Sequence, residues 1–100
     1  MLYAILCEDV PGSGALRRKA RPDHLARLEV LANEGRLILA GPHPAIDADD
    51  PGDPGFTGSL IVADFPGLAE AEAWAAADPY RREGVYERVV VKPFKRVFPR

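Results

Sequence analysis

Two polar side chains of this chain lie where helical patterns would place them beside a core. His24 precedes Leu28 and Leu31 by four and seven residues, which puts its imidazole at the edge of an apolar helical stripe. Asp78 follows Ala75 by three residues on the apolar face of a second helix, at the C-terminal end, where the helix dipole disfavours a negative charge. A carboxylate that orients an imidazole is a simple acid-base device, so a catalytic pair is one interpretation of this pattern.

Structural roles explain the same residues. His24 fits a histidine at the core edge with its hydrogen bond satisfied, and Asp78 fits the start of an Asp-Pro turn. Tyr80 is either a proton donor beside the pair or an amphipathic side chain at the turn. Cys7 lies in an apolar run that offers no electropositive setting for a thiolate, so we expect it in the core.

The sequence predicts no metal site and no cofactor. Two histidines and one cysteine cannot form a recognised zinc motif, and the acidic segment 47–53 has Pro51 where a calcium loop needs a ligand. Two basic clusters are expected to be solvated faces that help to attract an anionic small molecule. They contain Arg17, Arg18, Lys19 and Arg21 in one case, and Lys92, Lys95, Arg96 and Arg100 in the other.

Apolar runs and turn residues divide the chain into six elements. A strand covers 2–7, and a helix over 16–34 continues through Pro22 with a kink and is capped near Ser13. The other predicted elements are a strand over 37–43 that breaks at Gly41-Pro42, a loop over 45–55, a strand over 58–65, a helix over 68–77 and an edge strand over 85–92. The order βαββαβ predicts an α+β, ferredoxin-like split sheet with two helices on one face.

Composition restricts the classes of protein. At 100 residues the chain has room for one core, so we predict a single domain over 1–100. The net charge of -2 disfavours nucleic-acid binding, and no apolar run reaches the roughly 18 residues that span a bilayer. A lone cysteine and the absence of a basic leader favour a cytoplasmic location. The sheet face without helices would be apolar, which predicts a homodimer through that face.

Several sequence blocks resemble the YciI (YCII-related) family over nearly the whole chain. They are residues 21–28 (RPDHLARL), 34–37 (EGRL), 40–42 (AGP), 55–59 (GFTGS), 78–80 (DPY), 84–86 (GVY) and 91–95 (VKPFK). The resemblance implies a ferredoxin-like fold of the dimeric α/β-barrel group and a His-Asp dyad near the dimer interface. His24 and Asp78 match that dyad. The same superfamily includes muconolactone isomerase and a dehydrochlorinase of chlorinated hydroxyquinols, which implies acid-base chemistry on small organic acids or rings.

Two functions follow as hypotheses. The first is an enzyme that transfers protons, as an isomerase or a lyase does, with His24 as base, Asp78 as its orienting partner and Tyr80 as a donor. Its pocket would be lined by Gly41, Pro42, Phe56 and Ser59. The second is a non-catalytic dimer that binds a small ligand or another protein, with the His-Asp pair as a buried structural hydrogen bond.

Overall fold

A computed structural model describes residues 1–100. The chain forms four strands and three helices. In chain order they are β1 (Leu2–Asp9), α1 (Gly14–Asn33), β2 (Leu37–Pro44), β3 (Phe56–Asp64), α2 (Leu68–Ala76), α3 (Pro79–Arg82) and β4 (Tyr86–Phe94). The predicted α+β class and the βαββαβ order are confirmed, and the short helix α3 is an element that the sequence patterns did not indicate.

The four strands form one antiparallel sheet in the order β2-β3-β1-β4. Ile5 of the central strand β1 pairs with Ile61 of β3 and with Val91 of β4. Tyr3, Ile5 and Cys7 alternate toward the helices and are buried, as period-two side chains must be when one face of a sheet is covered. The fold is therefore ferredoxin-like, with the core between this face and the helices.

Helix α1 continues through Pro22, as predicted, and begins two turns before it at Gly14. Ser13 is the N-cap residue, but its hydroxyl donates to the Asp9 carboxylate at 2.6 Å instead of capping the first turn. The helix ends at Asn33, and Gly35 follows the C-cap residue with a φ of +72°, which lets the chain turn back so that the Arg36 N–H donates to the Leu31 carbonyl. This length places His24 near the middle of α1.

The predicted strand break at Gly41-Pro42 is wrong. Strand β2 continues to Pro44, with Gly41 paired to Leu60 and Pro42 paired to Ser59. Because β2 is an edge strand, half of its backbone N–H groups have no partner strand, and proline is tolerated there. The predicted loop over 45–55 then closes a hairpin with β3, and this hairpin brings Gly41 and Pro42 beside Ser59.

Cys7 is a core residue, as expected. Its side chain is buried in the cluster between sheet and helices, and burial raises the pKa of the thiol to about 12. The thiolate is the reactive form of cysteine, so a thiol that remains protonated at neutral pH is unreactive. Cys7 therefore contributes packing to the fold.

Gly58 lies on β3 against the backbone of β1, with no room for a larger side chain. A Cβ atom at this position would sit 2.1 Å from the Cys7 carbonyl oxygen, a backbone atom that cannot move without disturbing the sheet. We expect Gly58→Ala to lower the free energy of unfolding by about 1–3 kcal/mol because of this overlap. Urea unfolding followed by circular dichroism measures the change.

Gly41 supplies the matched control for Gly58, because it lies in the same hairpin and a Cβ atom there has no neighbour within 4 Å. Gly41→Ala should leave the urea midpoint nearly unchanged. Equal midpoints for the two variants would show that the contact at Gly58 does not limit the packing of β1 against β3.

The sheet face opposite the helices is open. Leu6, Leu39 and Phe94 project from three different strands on or beside this face and are 40%, 48% and 40% exposed. Large apolar side chains exposed on the uncovered face of a sheet are candidates for an interaction surface. No helix of the chain has both the length and the apolar character needed to cross a membrane.

Candidate functional site

The imidazole of His24 and the carboxylate of Asp78 are in direct contact. The Nδ1 atom of His24 lies 2.9 Å from one Asp78 oxygen and 3.0 Å from the other. The two residues are 6% and 2% exposed, so the pair is shielded from bulk water. All hydrogen bonds of His24 to the protein use Nδ1, which leaves Nε2 free to meet another molecule.

Asp78 holds its position through the corner between α2 and α3. It follows α2 and is also the N-cap of α3, where its Oδ1 atom accepts a hydrogen bond of 2.9 Å from the Tyr80 N–H. The prediction that Asp78 lies at an unfavourable helix end is therefore incomplete, because the carboxylate also caps the N-terminus of the next helix, where a negative charge is favourable. One residue thus orients His24 and fixes the turn.

Tyr80 completes this group of aromatic rings. Its ring stacks on the His24 imidazole, with centroids 4.0 Å apart and planes 8° apart, and meets the Tyr86 ring edge-on at 5.5 Å. Burial raises the pKa of the Tyr80 phenol, although the charges of Arg17 and Arg21 act against this rise. The phenol therefore stays protonated at neutral pH and is available as a hydrogen-bond donor.

A cleft of about 210 Å³ lies between α1 and β2, and it is called the inner cleft below. His24 and Tyr80 line it, and so do three of the four residues that the sequence predicted to bind substrate. These three are Gly41, Pro42 and Ser59. The His-Asp pair consequently adjoins a concave space instead of being sealed inside the core, as a site that acts on a ligand requires.

A larger cleft of about 1000 Å³, the outer cleft, lies between the start of α1 and the loop over 45–55. Phe56, the fourth predicted substrate-binding residue, lines this cleft. Four residues line both clefts, which makes the two spaces neighbours. They are Arg17, Arg21, Pro42 and Tyr80.

Arg17 is a buried residue that the sequence reasoning placed in a solvated basic cluster, and that placement is wrong. Its Nε and Nη2 atoms donate to the Asp9 carboxylate at 2.5 and 3.0 Å, and Nη2 also donates to the Gly58 carbonyl and the Ser59 hydroxyl at 2.8 and 2.9 Å. Burial lowers the pKa of Arg17, but the bonds to Asp9 and its charge outweigh burial, so the pKa is raised. The guanidinium is a fixed cation.

The sequence did contain a signal for this arrangement. Arg17, Arg21 and His24 are spaced by four and three residues, so they occupy one face of α1 that continues to Leu28 and Leu31. A prediction that treated these residues as one helical face would have placed two arginines beside the His24 imidazole. The partner Asp9 gave no such signal, because the pairing joins the end of β1 to α1.

Arg27 of α1 contacts Trp74 of α2 and so links the two helices that carry His24 and lead to Asp78. Its guanidinium lies 4.2 Å from the centre of the Trp74 ring, and its Nη2 atom donates to the Trp74 carbonyl at 2.8 Å. Burial lowers the pKa of this guanidinium, while the charge of Asp78 opposes the shift. The contact holds the end of α2, and hence Asp78, against the middle of α1.

The arrangement provides the parts for proton transfer. An imidazole bonded to a carboxylate through Nδ1 has one nitrogen left for a ligand, and a phenol donor is stacked against it. No group of three histidine, cysteine, aspartate or glutamate side chains lies close enough together to hold a metal ion. The imidazole, the carboxylate and the phenol can supply acid-base chemistry and hydrogen bonding.

Comparisons with known proteins agree with this architecture. The chain is 57% identical over 98 residues to Protein YciI of Escherichia coli O6:H1, and 51% identical over 98 residues to an uncharacterized protein of Haemophilus influenzae. Both matches cover 98% of this chain and 100% of the relative.

A solved structure is also similar. It is 5-chloro-2-hydroxyhydroquinone dehydrochlorinase (TftG) of Burkholderia phenoliruptrix in complex with 2,5-dihydroxybenzoquinone, a member of the dimeric α/β-barrel proteins. The TM-score is 0.83 at 27% identity, over 95% of this chain and 94% of that one. The YCII-related domain family matches residues 1–95, and the chain belongs to that family.

Proposed function

We propose that this protein is a small-molecule enzyme that moves a proton on a small ring compound or organic acid, as an isomerase or a lyase does. The observation that carries the proposal is the different environment of the two ring nitrogens of His24. Nδ1 is bound to Asp78, and Nε2 is free beside the inner cleft. The similarity to a dehydrochlorinase that binds a hydroxylated quinone supports a ring compound as the substrate.

The catalytic step follows from the hydrogen bonds. Because ionised Asp78 can only accept, the His24 Nδ1–H donates to it, and the lone pair of the neutral imidazole is then on Nε2. Nε2 takes a proton from a substrate C–H or O–H group, and the electron pair left behind moves onto an oxygen that the Tyr80 hydroxyl stabilises. Asp78 stabilises the imidazolium that forms.

The intermediate can complete either of two reactions. If the imidazolium returns its proton to a different atom of the substrate, the product is an isomer. If instead the electron pair expels a leaving group from the neighbouring carbon, the reaction is an elimination, and the proton and the leaving group depart together as an acid. The same three residues serve both reactions, and the substrate decides between them.

Hydrogen-deuterium exchange tests the proposal without requiring the natural substrate. A panel of enolisable ring ketones and lactones is incubated with the protein in D₂O, and mass spectrometry follows deuterium uptake at the acidic carbon. We expect the wild-type chain to accelerate exchange of at least one ring compound, and His24→Gln to abolish that acceleration. Equal exchange with wild type and His24→Gln would refute the proposal and favour a non-catalytic ligand-binding role.

We also propose that two copies of the chain form a homodimer through the open sheet face. Leu6, Leu39 and Phe94 on or near that face are partly exposed, and removing them from water would favour association. The family neighbour is a dimeric α/β-barrel protein, which supports the same assembly. Sedimentation velocity should give twice the chain mass of 10.9 kDa, and a Leu6→Glu variant should shift toward the single mass. A wild-type chain that sediments only as a monomer would contradict this assembly.

A further inference from the structure

Two side-chain hydrogen-bond donors line the inner cleft without an acceptor from the protein. One is the Tyr80 O–H group, which donates to no protein atom although Tyr80 is only 2% exposed. The other is the Arg21 guanidinium, which is exposed, makes no hydrogen bond or ion pair with the protein and lines the same cleft. A guanidinium and a phenol O–H on one cleft are complementary to an acceptor with negative charge.

The two arginines of the inner cleft are not equivalent. Arg17 is already bound to the Asp9 carboxylate through two nitrogens, so most of its charge is neutralised within the protein. Arg21 follows one helical turn later, toward His24, and has no carboxylate partner. Arg21 therefore supplies the uncompensated positive charge at this position.

The carboxylates closest to the inner cleft either have partners within the protein or line only the outer cleft. Asp9 is bound by Arg17 and Ser13, and Asp78 lies behind the imidazole of His24. Asp50 and Asp53 line only the outer cleft, and Asp50 accepts a hydrogen bond from the Gly52 N–H of its own loop. None of the residues that line the inner cleft is acidic.

The volume of the inner cleft limits the size of its ligand. A cavity of roughly 150 Å³ holds benzene, so about 210 Å³ accommodates one six-membered ring with one or two small substituents. Leu25, Leu28 and Ile61 supply apolar walls for such a ring, while Arg21, His24 and Tyr80 supply polar groups to the same cleft. The cleft thus combines a ring-sized apolar part with a polar part that favours an anion.

We infer that the inner cleft binds a monocyclic anion, a carboxylate or an enolate or phenolate, whose charged oxygen is held by Arg21 while the ring lies beside His24 and Tyr80. Arg21 is then the residue that selects charged over neutral rings. This inference rests on the proposed function, because it names the class of substrate that the same site would take. The inference differs from the proposed function because it assigns recognition of the substrate to Arg21, which lies outside the His-Asp pair.

Binding of two ring-matched probes, benzoate and benzamide, tests the inference by titration of a ¹⁵N-labelled chain followed by NMR. We expect benzoate to bind the wild-type chain about ten- to a hundredfold more tightly than benzamide, the range expected for a hydrogen bond to a charged group, with shifts near α1 and β2. Arg21→Ala should abolish the preference for benzoate, and Arg21→Lys should restore part of it.

Arg18 provides the matched control, because it lies about one turn before Arg21 on the same helix, is also exposed, and lines only the outer cleft. Arg18→Ala should retain the preference for benzoate. The inference is overturned if the wild-type chain binds neither probe or binds both equally, or if Arg21→Ala keeps the preference. The binding measurement needs no turnover. The charge preference of Arg21→Ala therefore tests this inference, and the exchange assay with His24→Gln tests the proposed function independently.

Discussion

Replacing Asp9 by alanine is expected to lower the free energy of unfolding by about 3–5 kcal/mol, the usual cost of leaving one member of a buried ion pair without its partner. The side chains of Arg17 and Asp9 are 9% and 1% exposed. In the variant the guanidinium would retain only the Gly58 carbonyl and the Ser59 hydroxyl as acceptors, which cannot neutralise its charge. For a domain of this size each kcal/mol lowers the melting temperature by about 4–8 °C.

A double variant separates the charge effect from the loss of packing. When Arg17→Met is combined with Asp9→Ala, no unpaired charge remains in the interior, so most of the lost stability should return. Urea unfolding of the two single variants and the double variant gives the coupling energy directly. If Asp9→Ala alone is as stable as the wild type, Arg17 must be solvated, and the part of the inner cleft that Arg17 lines is not rigid.

His24→Gln is expected to reduce enzyme-catalysed deuterium exchange by about 10²–10⁴-fold, the contribution typical of a positioned general base. Glutamine can still donate a hydrogen bond to Asp78, but its side-chain amide does not accept a proton at neutral pH. Asp78→Asn should cause a loss of similar order, because a neutral amide neither fixes the imidazole tautomer nor stabilises the imidazolium.

Asp23→Asn is the matched control for this pair. Asp23 precedes His24 on α1 and is exposed, so its variant changes the net charge by the same amount as Asp78→Asn without touching the site. Exchange by Asp23→Asn should equal that of the wild type. Melting temperatures show whether each variant folds, and a variant that loses stability while exchanging at the wild-type rate would assign the His-Asp contact to the fold instead of to catalysis.

Much of this architecture could be predicted from local sequence patterns. The apolar run over 2–7 and the spacing of His24 from Leu28 and Leu31 depend only on residues close in sequence, and they placed the strand and the helix correctly. The sequence left open whether α1 begins at Pro22 or passes through it with a kink, and the continuous helix that we favoured is the one observed. The contact between His24 and Asp78, which are 54 residues apart, came from the family resemblance together with the helical register.

The errors concern features that depend on partners distant in sequence. Pro42 can continue β2 only because no strand lies beyond that edge, which the local sequence does not state. Helix α3 is a single turn, too short for any periodic pattern, and it exists because Asp78 caps it. Arg17 was predicted to lie on the surface because it belongs to a cluster of basic residues with Arg18 and Lys19, whereas its burial depends on Asp9 at the end of another element.

The loop over 45–55 has an evolutionary consequence. It lines the outer cleft through residues such as Asp50 and Asp53, yet the strands on either side are aligned by their own pairing, and the dyad is held by α1, α2 and α3. Hairpin loops tolerate insertions at small cost in free energy. Descendants of this fold can therefore exchange the loop and reshape the outer cleft while keeping the contact between His24 and Asp78 unchanged.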